Sequence, residues 1–136
     1  RALACILDAI RAPHPAGSPA TLTQIAEAFR RGGQCDWAVA WYDAALGADS
    51  ALLPAVLGRC ECLRESDDRA VLADVARGYR RIAALPRADD PARWRLAQTR
   101  LLGVLRRAGA DPRRLDARLA RLRAIDPLVG SPSGGQ

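Results

Sequence analysis

Read for its hydrophobic positions, the chain is a run of segments with helical periodicity, punctuated by glycine, proline and aspartate. Between residues 20 and 31, Leu22, Ile25, Ala26 and Phe29 recur at steps of three, four and seven, which places them on one helical face. Gly32-Gly33 then breaks the helix, because glycine enters left-handed backbone conformations without steric cost. Residues 36–46 repeat the spacing with Ala38, Tyr42, Ala45 and Leu46. Two amphipathic helices joined by so short a turn fold back as an antiparallel hairpin. The small residues Ala26 and Ala38 fall where the two helices cross, since a larger side chain there would push the backbones apart. Leu22, Ile25, Phe29, Tyr42 and Leu46 fill the space around that crossing.

The same reading extends along the chain. Residues 1–12 form a helix with Ala2, Ile6, Ala9 and Ile10 on one face, followed by a Pro/Gly/Ser connector from Pro13 to Pro19. Either Ser18 or Thr21 caps the next helix, Thr21-x-x-Gln24 having the form of a capping box. A third helix spans about Ala51 to Glu65 with Val56, Cys60 and Leu63 inward and Pro54 in its first turn. Ser66-Asp67-Asp68 starts a fourth, about Asp67 to Leu85, with Val71, Leu72, Val75, Tyr79 and Ile82 inward. Asp90-Pro91 and Asp111-Pro112 are strong helix starts, a capping acid followed by proline in the first turn. They open helices with Trp94, Ala97, Leu101, Val104 and Leu105 inward, and with Leu115, Leu119, Leu122 and Ile125 inward. Asp126-Pro127 reads as the final stop, and residues 131–136 as a flexible tail or linker.

The central hairpin resembles a tetratricopeptide repeat (TPR), a helix-turn-helix unit of about 34 residues with a W-x2-L-G-x2-Y…A-x3-F…P pattern. Leu22, Ile25, Ala26, Phe29, Ala38 and Tyr42 stand at its positions, with Ser50 in the proline place. The alternative is an unrelated helical hairpin. The resemblance implies an all-α fold, an α-α superhelix of about seven antiparallel helices. It would comprise residues 1–12 as the second helix of a truncated repeat, then repeats at 19–52, 53–90 and 91–127. The later units are degenerate: Arg59 stands where the pattern wants leucine, and the glycine after Trp94 arrives about a turn late.

Composition narrows the chemistry. The 136 residues are 49% hydrophobic, enough for a sizeable core, and no run reaches the roughly 20 apolar residues of a membrane span. The chain begins at Arg1, which reads as a fragment or processed form. All 21 basic residues are arginine, and with abundant alanine this looks like the codon bias of a GC-rich, bacterial genome. The net charge of +6 favours acidic partners at long range. Cys60-x-Cys62 is one residue short of a zinc or redox spacing, and His14 is the single histidine. The cysteines, Cys5, Cys35, Cys60 and Cys62, read as buried thiols, with a Cys35–Cys60 bridge left open. Unpaired buried cysteines favour the cytoplasm, with the periplasm also open. No catalytic constellation, metal-ligand set or cofactor-binding loop is present in the sequence. The expected protein is therefore not an enzyme and takes no cofactor.

In the family, ligand peptides lie along the first helix of each pair. By helical phase this implies a partner-binding groove of Thr23, Glu27 and Arg30, then Leu57, Glu61 and Arg64, then Arg95, Thr99 and Leu102. The lysine and asparagine with which one subset of the family clamps a peptide carboxylate are replaced here by Thr23 and Glu27. Trp37 is either an aromatic anchor for a partner or packing beneath the preceding connector. Arg106, Arg107, Arg113, Arg114, Arg118 and Arg121, with Arg123, make a basic end. A phosphate-binding module for nucleic acid or another polyanion is thus a rival to the protein-binding scaffold. No aromatics interleave these arginines for base stacking. Self-association through exposed end faces is the third reading.

Overall fold

The computed structural model describes residues 17–131. Among them are six α-helices and one short 3-10 turn, and no strand. The helix expected at 1–12, with Cys5 and His14, lies outside the described residues. The helices are α1 (Pro19–Arg31), α2 (Cys35–Ala48), α3 (Leu53–Leu63), α4 (Arg69–Ala83), α5 (Pro91–Arg107) and α6 (Pro112–Ile125), with the 3-10 turn at Arg87–Asp89. The chain divides into two compact units, Arg1–Cys62 and Leu63–Gln136.

The helix ends are set by local chemistry. Ser18, rather than Thr21, caps α1, its hydroxyl accepting the Thr21 N–H at 3.2 Å. Asp68, Asp90 and Asp111 accept the N–H groups of Ala70, Arg93 and Arg113 at 2.9–3.0 Å and so cap α4, α5 and α6. Two helices end on a left-handed glycine, Gly33 at φ 77° and Gly109 at φ 88°. In both turns paired backbone bonds close the end: Gln34 N–H to Phe29 O with Gly33 N–H to Arg30 O, and Ala110 N–H to Leu105 O with Gly109 N–H to Arg106 O.

In the first unit α1 and α2 pack as a hairpin around Leu22, Ala26, Ala38, Trp41, Tyr42 and Ala45, joined by Ala55 of α3. Ala26 and Ala38 are fully buried, as the crossing requires. Arg59 of α3, the residue in a leucine place, reaches back to Asp43 of α2 with Nε 2.6 Å from Oδ1. A hydrocarbon stem ending in an ion pair thus serves where an aliphatic side chain was expected.

In the second unit α4 packs on α5, the two helices burying Leu72, Val75, Ala76, Tyr79 and Ile82, and Ala97, Leu101 and Val104. A second cluster joins Trp94, Leu102, Leu115 and Val129, and the Arg87 guanidinium lies 5.5 Å from the centre of the Trp94 ring. One expectation fails here. Ile125, read as inward, is 55% exposed. Helix α6 ends at Ile125 and the chain reverses at Asp126, so Val129 enters the core in its place.

Candidate functional site

The residues of the implied groove meet different fates. On α1, Thr23 is buried and its hydroxyl donates to the Pro19 carbonyl at 2.8 Å, a bond within its own helix. Glu27 and Arg30 close a network with Tyr42 of α2. The Tyr42 hydroxyl donates to Glu27 Oε1, Arg30 Nη2 lies 2.6 Å from Glu27 Oε2, and Arg30 Nε donates to Tyr42 Oη at 3.2 Å. Burial acts to raise the Glu27 pKa, but the hydrogen bonds from Arg30 and Tyr42 outweigh it and hold the carboxyl below its ordinary value. Burial, then the bond to Glu27, pushes the Tyr42 phenol above its usual range. These polar groups are turned on one another and knit the hairpin together. On α3, Leu57 and Glu61 are half-buried.

On α5, the three expected residues are held by the chain's own C-terminal segment. Arg95 Nε donates to Asp126 Oδ2 at 2.8 Å, and Arg87 Nη2 stands 3.7 Å from the same oxygen. Thr99 Oγ1 accepts the Gly130 N–H at 2.9 Å. Leu102, expected on the open face, is 4% exposed beneath Val129. The hydrogen bond from Arg95, then the Leu128 N–H, draw the Asp126 pKa down. Arg123 Nε completes the clasp by donating to the Val129 carbonyl at 3.0 Å. Residues 126–130 thus form a hook over α5, where the sequence offered only an Asp-Pro stop.

Beside the hook the second unit opens into a cleft of about 510 Å³. It is lined by Arg64, Thr99 and Leu102 from the implied groove, by Arg106 and Arg107 from the basic end, and by Arg100, Gly103 and Leu119 among others. Thr99, Leu102, Gly103 and Arg106 recur at helical spacing, so the α5 wall is one stripe; carrying the phase past Leu102 would have found it. Arg107 is anchored at the rim, Nε to the Ser66 carbonyl at 2.8 Å and Nη2 to Asp67 at 2.7 Å. Gly103 is exposed, and a Cβ built on it would meet nothing within 4 Å.

The basic end is divided. Arg106 and Arg107 face the cleft, whereas Arg113, Arg114 and Arg121 are exposed along α6. Arg118 is half-buried, and burial, followed by the charges of Arg80 and Arg121, lowers its pKa. Trp37 packs edge-on against Phe29, ring centres 5.6 Å apart and planes at 85°, while Trp41 stacks on the same ring at 6.3 Å. Cys35, Cys60 and Cys62 are thiols, not joined in a disulfide. Burial, and then the adjacent Cys35 thiol, push the Cys62 pKa up to about 12. Among the described residues no group of three or more His, Cys, Asp or Glu could hold a metal ion, and no helix is long and apolar enough to cross a membrane.

Compared with protein-family models, with curated proteins and with solved structures, the chain matches none.

Proposed function

We propose that this chain is a non-catalytic scaffold of tetratricopeptide type, a superhelical array of about seven helices that binds a peptide or protein partner along its first helices. The observation that carries the reading is the cleft on α5. Arg64, Thr99 and Leu102, assigned to partner binding by helical phase, line one recess of a size that takes a few side chains of a ligand. The hairpin of α1 and α2, with alanines at its crossing, is in keeping with the repeat. The groove contracts to this recess, because Thr23, Glu27, Arg30 and Arg95 spend their polar atoms within the chain. A nucleic-acid module draws less support: no aromatic side chain lines the cleft, and Asp67 holds one of its arginines.

A random peptide library displayed on phage and selected on the intact chain tests this. Selected peptides should lose binding to Gly103→Trp, which fills the recess from its wall, and should slow hydrogen exchange across residues 99–107. A selection that yields no binder, or binders that protect only other segments, overturns the proposal.

A further inference from the structure

We infer that the cleft on α5 takes an acidic peptide segment bearing an aliphatic residue, its carboxylates on Arg64 and Arg106 and its aliphatic side chain against Leu119. This rests on the peptide-binding reading above and names the chemistry of the partner.

Charge is the first ground. Four of the eleven lining residues are arginines, Arg64, Arg100, Arg106 and Arg107, against one acid, Glu65. Glu65 does little to cancel them: it is 78% exposed, and its closest approach to Arg64 is 3.9 Å. Arginine presents a planar fork of donors that matches a carboxylate in two parallel bonds. Arg107 already spends its fork on Ser66 and Asp67, and Arg100 is engaged within the chain, so both contribute field more than bonds. The remaining lining includes exposed Gly103 and half-buried Leu119, with Leu102 and Val104 buried behind them.

The second ground is independent of charge counting. The chain already lays a segment of this chemistry on the same helix. Asp126 gives its carboxylate to Arg95, and Val129, three residues on, is fully buried against Trp94, Leu102 and Leu115. Gly130 then bonds Thr99 through its N–H. An acid-x-x-aliphatic segment with one backbone donor is therefore the pattern that α5 accepts from its own chain. Thr99, Leu102 and Gly130 belong both to the seat of the hook and to the wall of the cleft, so the recess prolongs that seat toward Arg106.

The test uses the intact chain and a fluorescein-labelled peptide, Glu-Asp-Ala-Gly-Val-Asp-Glu, followed by anisotropy at low and at physiological salt. Its companions are the same peptide with every acid changed to its amide, and a short DNA duplex. The acidic peptide should bind, and the amide form should bind at least about tenfold more weakly. Reversing Arg64→Glu with Arg106→Glu should cost at least about tenfold, with helicity by circular dichroism unchanged. Arg113→Glu with Arg114→Glu, on the far end of the basic region, should leave affinity within about twofold. Gly103→Trp is the second variant should the double reversal fail to fold, and it too should abolish binding. No binding of the acidic peptide at low salt overturns the inference, as does affinity that survives both cleft variants. Duplex DNA binding as tightly and lost in parallel overturns it by making the site a general polyanion patch. Library peptides of neutral or basic composition that are blocked by Gly103→Trp would retain the scaffold and overturn this assignment alone.

Discussion

Gly58 of α3 lies against the ring of Tyr42: a methyl group on its α-carbon would stand 2.6 Å from Tyr42 Cε1 and closer still to Cζ. The neighbouring helix can approach so near only because that position has no side chain. Gly58→Ala should gain about 1 kcal/mol of helix propensity and lose about 1–3 kcal/mol to overpacking, since the fully buried ring has nowhere to retreat. The net expectation is destabilisation in a urea titration. In a Tyr42→Leu background the penalty should vanish, and an undiminished penalty there would show that the clash lies elsewhere.

The Tyr42 hydroxyl also links Glu27 to Arg30. Tyr42→Phe should cost about 1–2 kcal/mol near neutral pH, because it strands part of a half-buried charge-assisted network. The linkage has a sign at each end of the pH scale. Glu27 has a depressed pKa when folded, so its contribution is complete above the ordinary value of 4.5 and is lost as pH falls through the folded value. Tyr42 has a raised one, so its contribution is complete below 10.0 and is lost as pH rises beyond it. Stability measured against pH should therefore fall less steeply at both extremes in Tyr42→Phe than in the parent chain.

The hook is structural. Val129→Ala removes two methyl groups from a fully buried site and should cost about 2 kcal/mol. Asp126→Asn and Thr99→Val should speed hydrogen exchange of the Leu128 and Gly130 amides, which Asp126 Oδ1 and Thr99 Oγ1 accept at 3.0 and 2.9 Å. The depressed pKa of Asp126 places the same loosening in acid: the clasp is complete above its ordinary value of 3.8 and is lost as pH falls through the folded one. Equal exchange in parent and variants would mean that the hook is not held by these bonds.

Cys62 should resist alkylation. With its pKa pushed up to about 12, it stays in the neutral thiol form at pH 8, and the thiolate is the reactive species. Iodoacetamide labelling followed by peptide mass spectrometry should find Cys62 far slower than an ordinary exposed cysteine, with a rate that climbs tenfold per pH unit. Rapid labelling at pH 8 would contradict the raised pKa of this half-buried thiol.

Much of the helical layout was legible because its signals are local. Asp68, Asp90 and Asp111 announce helix starts by the bonds they make two or three residues away, and Gly33 and Gly109 announce ends by a conformation other residues avoid. Ala26 and Ala38 could be placed at a crossing because only small residues fit one. What escaped was non-local. Asp126 looks like a stop, yet its partner Arg95 stands 31 residues away. Ile125 and Val129 are equally apolar, and only the chain reversal between them decides which enters the core. Gly58 carries no periodic signal, since its role depends on a ring from another helix. Helical phase likewise gives a direction and not what already stands there: at Thr23 and Glu27 it could not show the bonds to Pro19, Arg30 and Tyr42 within the chain.

The aromatic packing leaves each unit with its own optical reporter. Trp37 and Trp41 emit from beside Phe29 in the first unit, whereas Trp94 emits from beneath the Arg87 guanidinium in the second. Replacing Trp37 and Trp41 with phenylalanine makes the fluorescence a signal from the second unit alone, and Trp94→Phe does the converse. Melting of the two units then becomes two separately recorded curves from one chain.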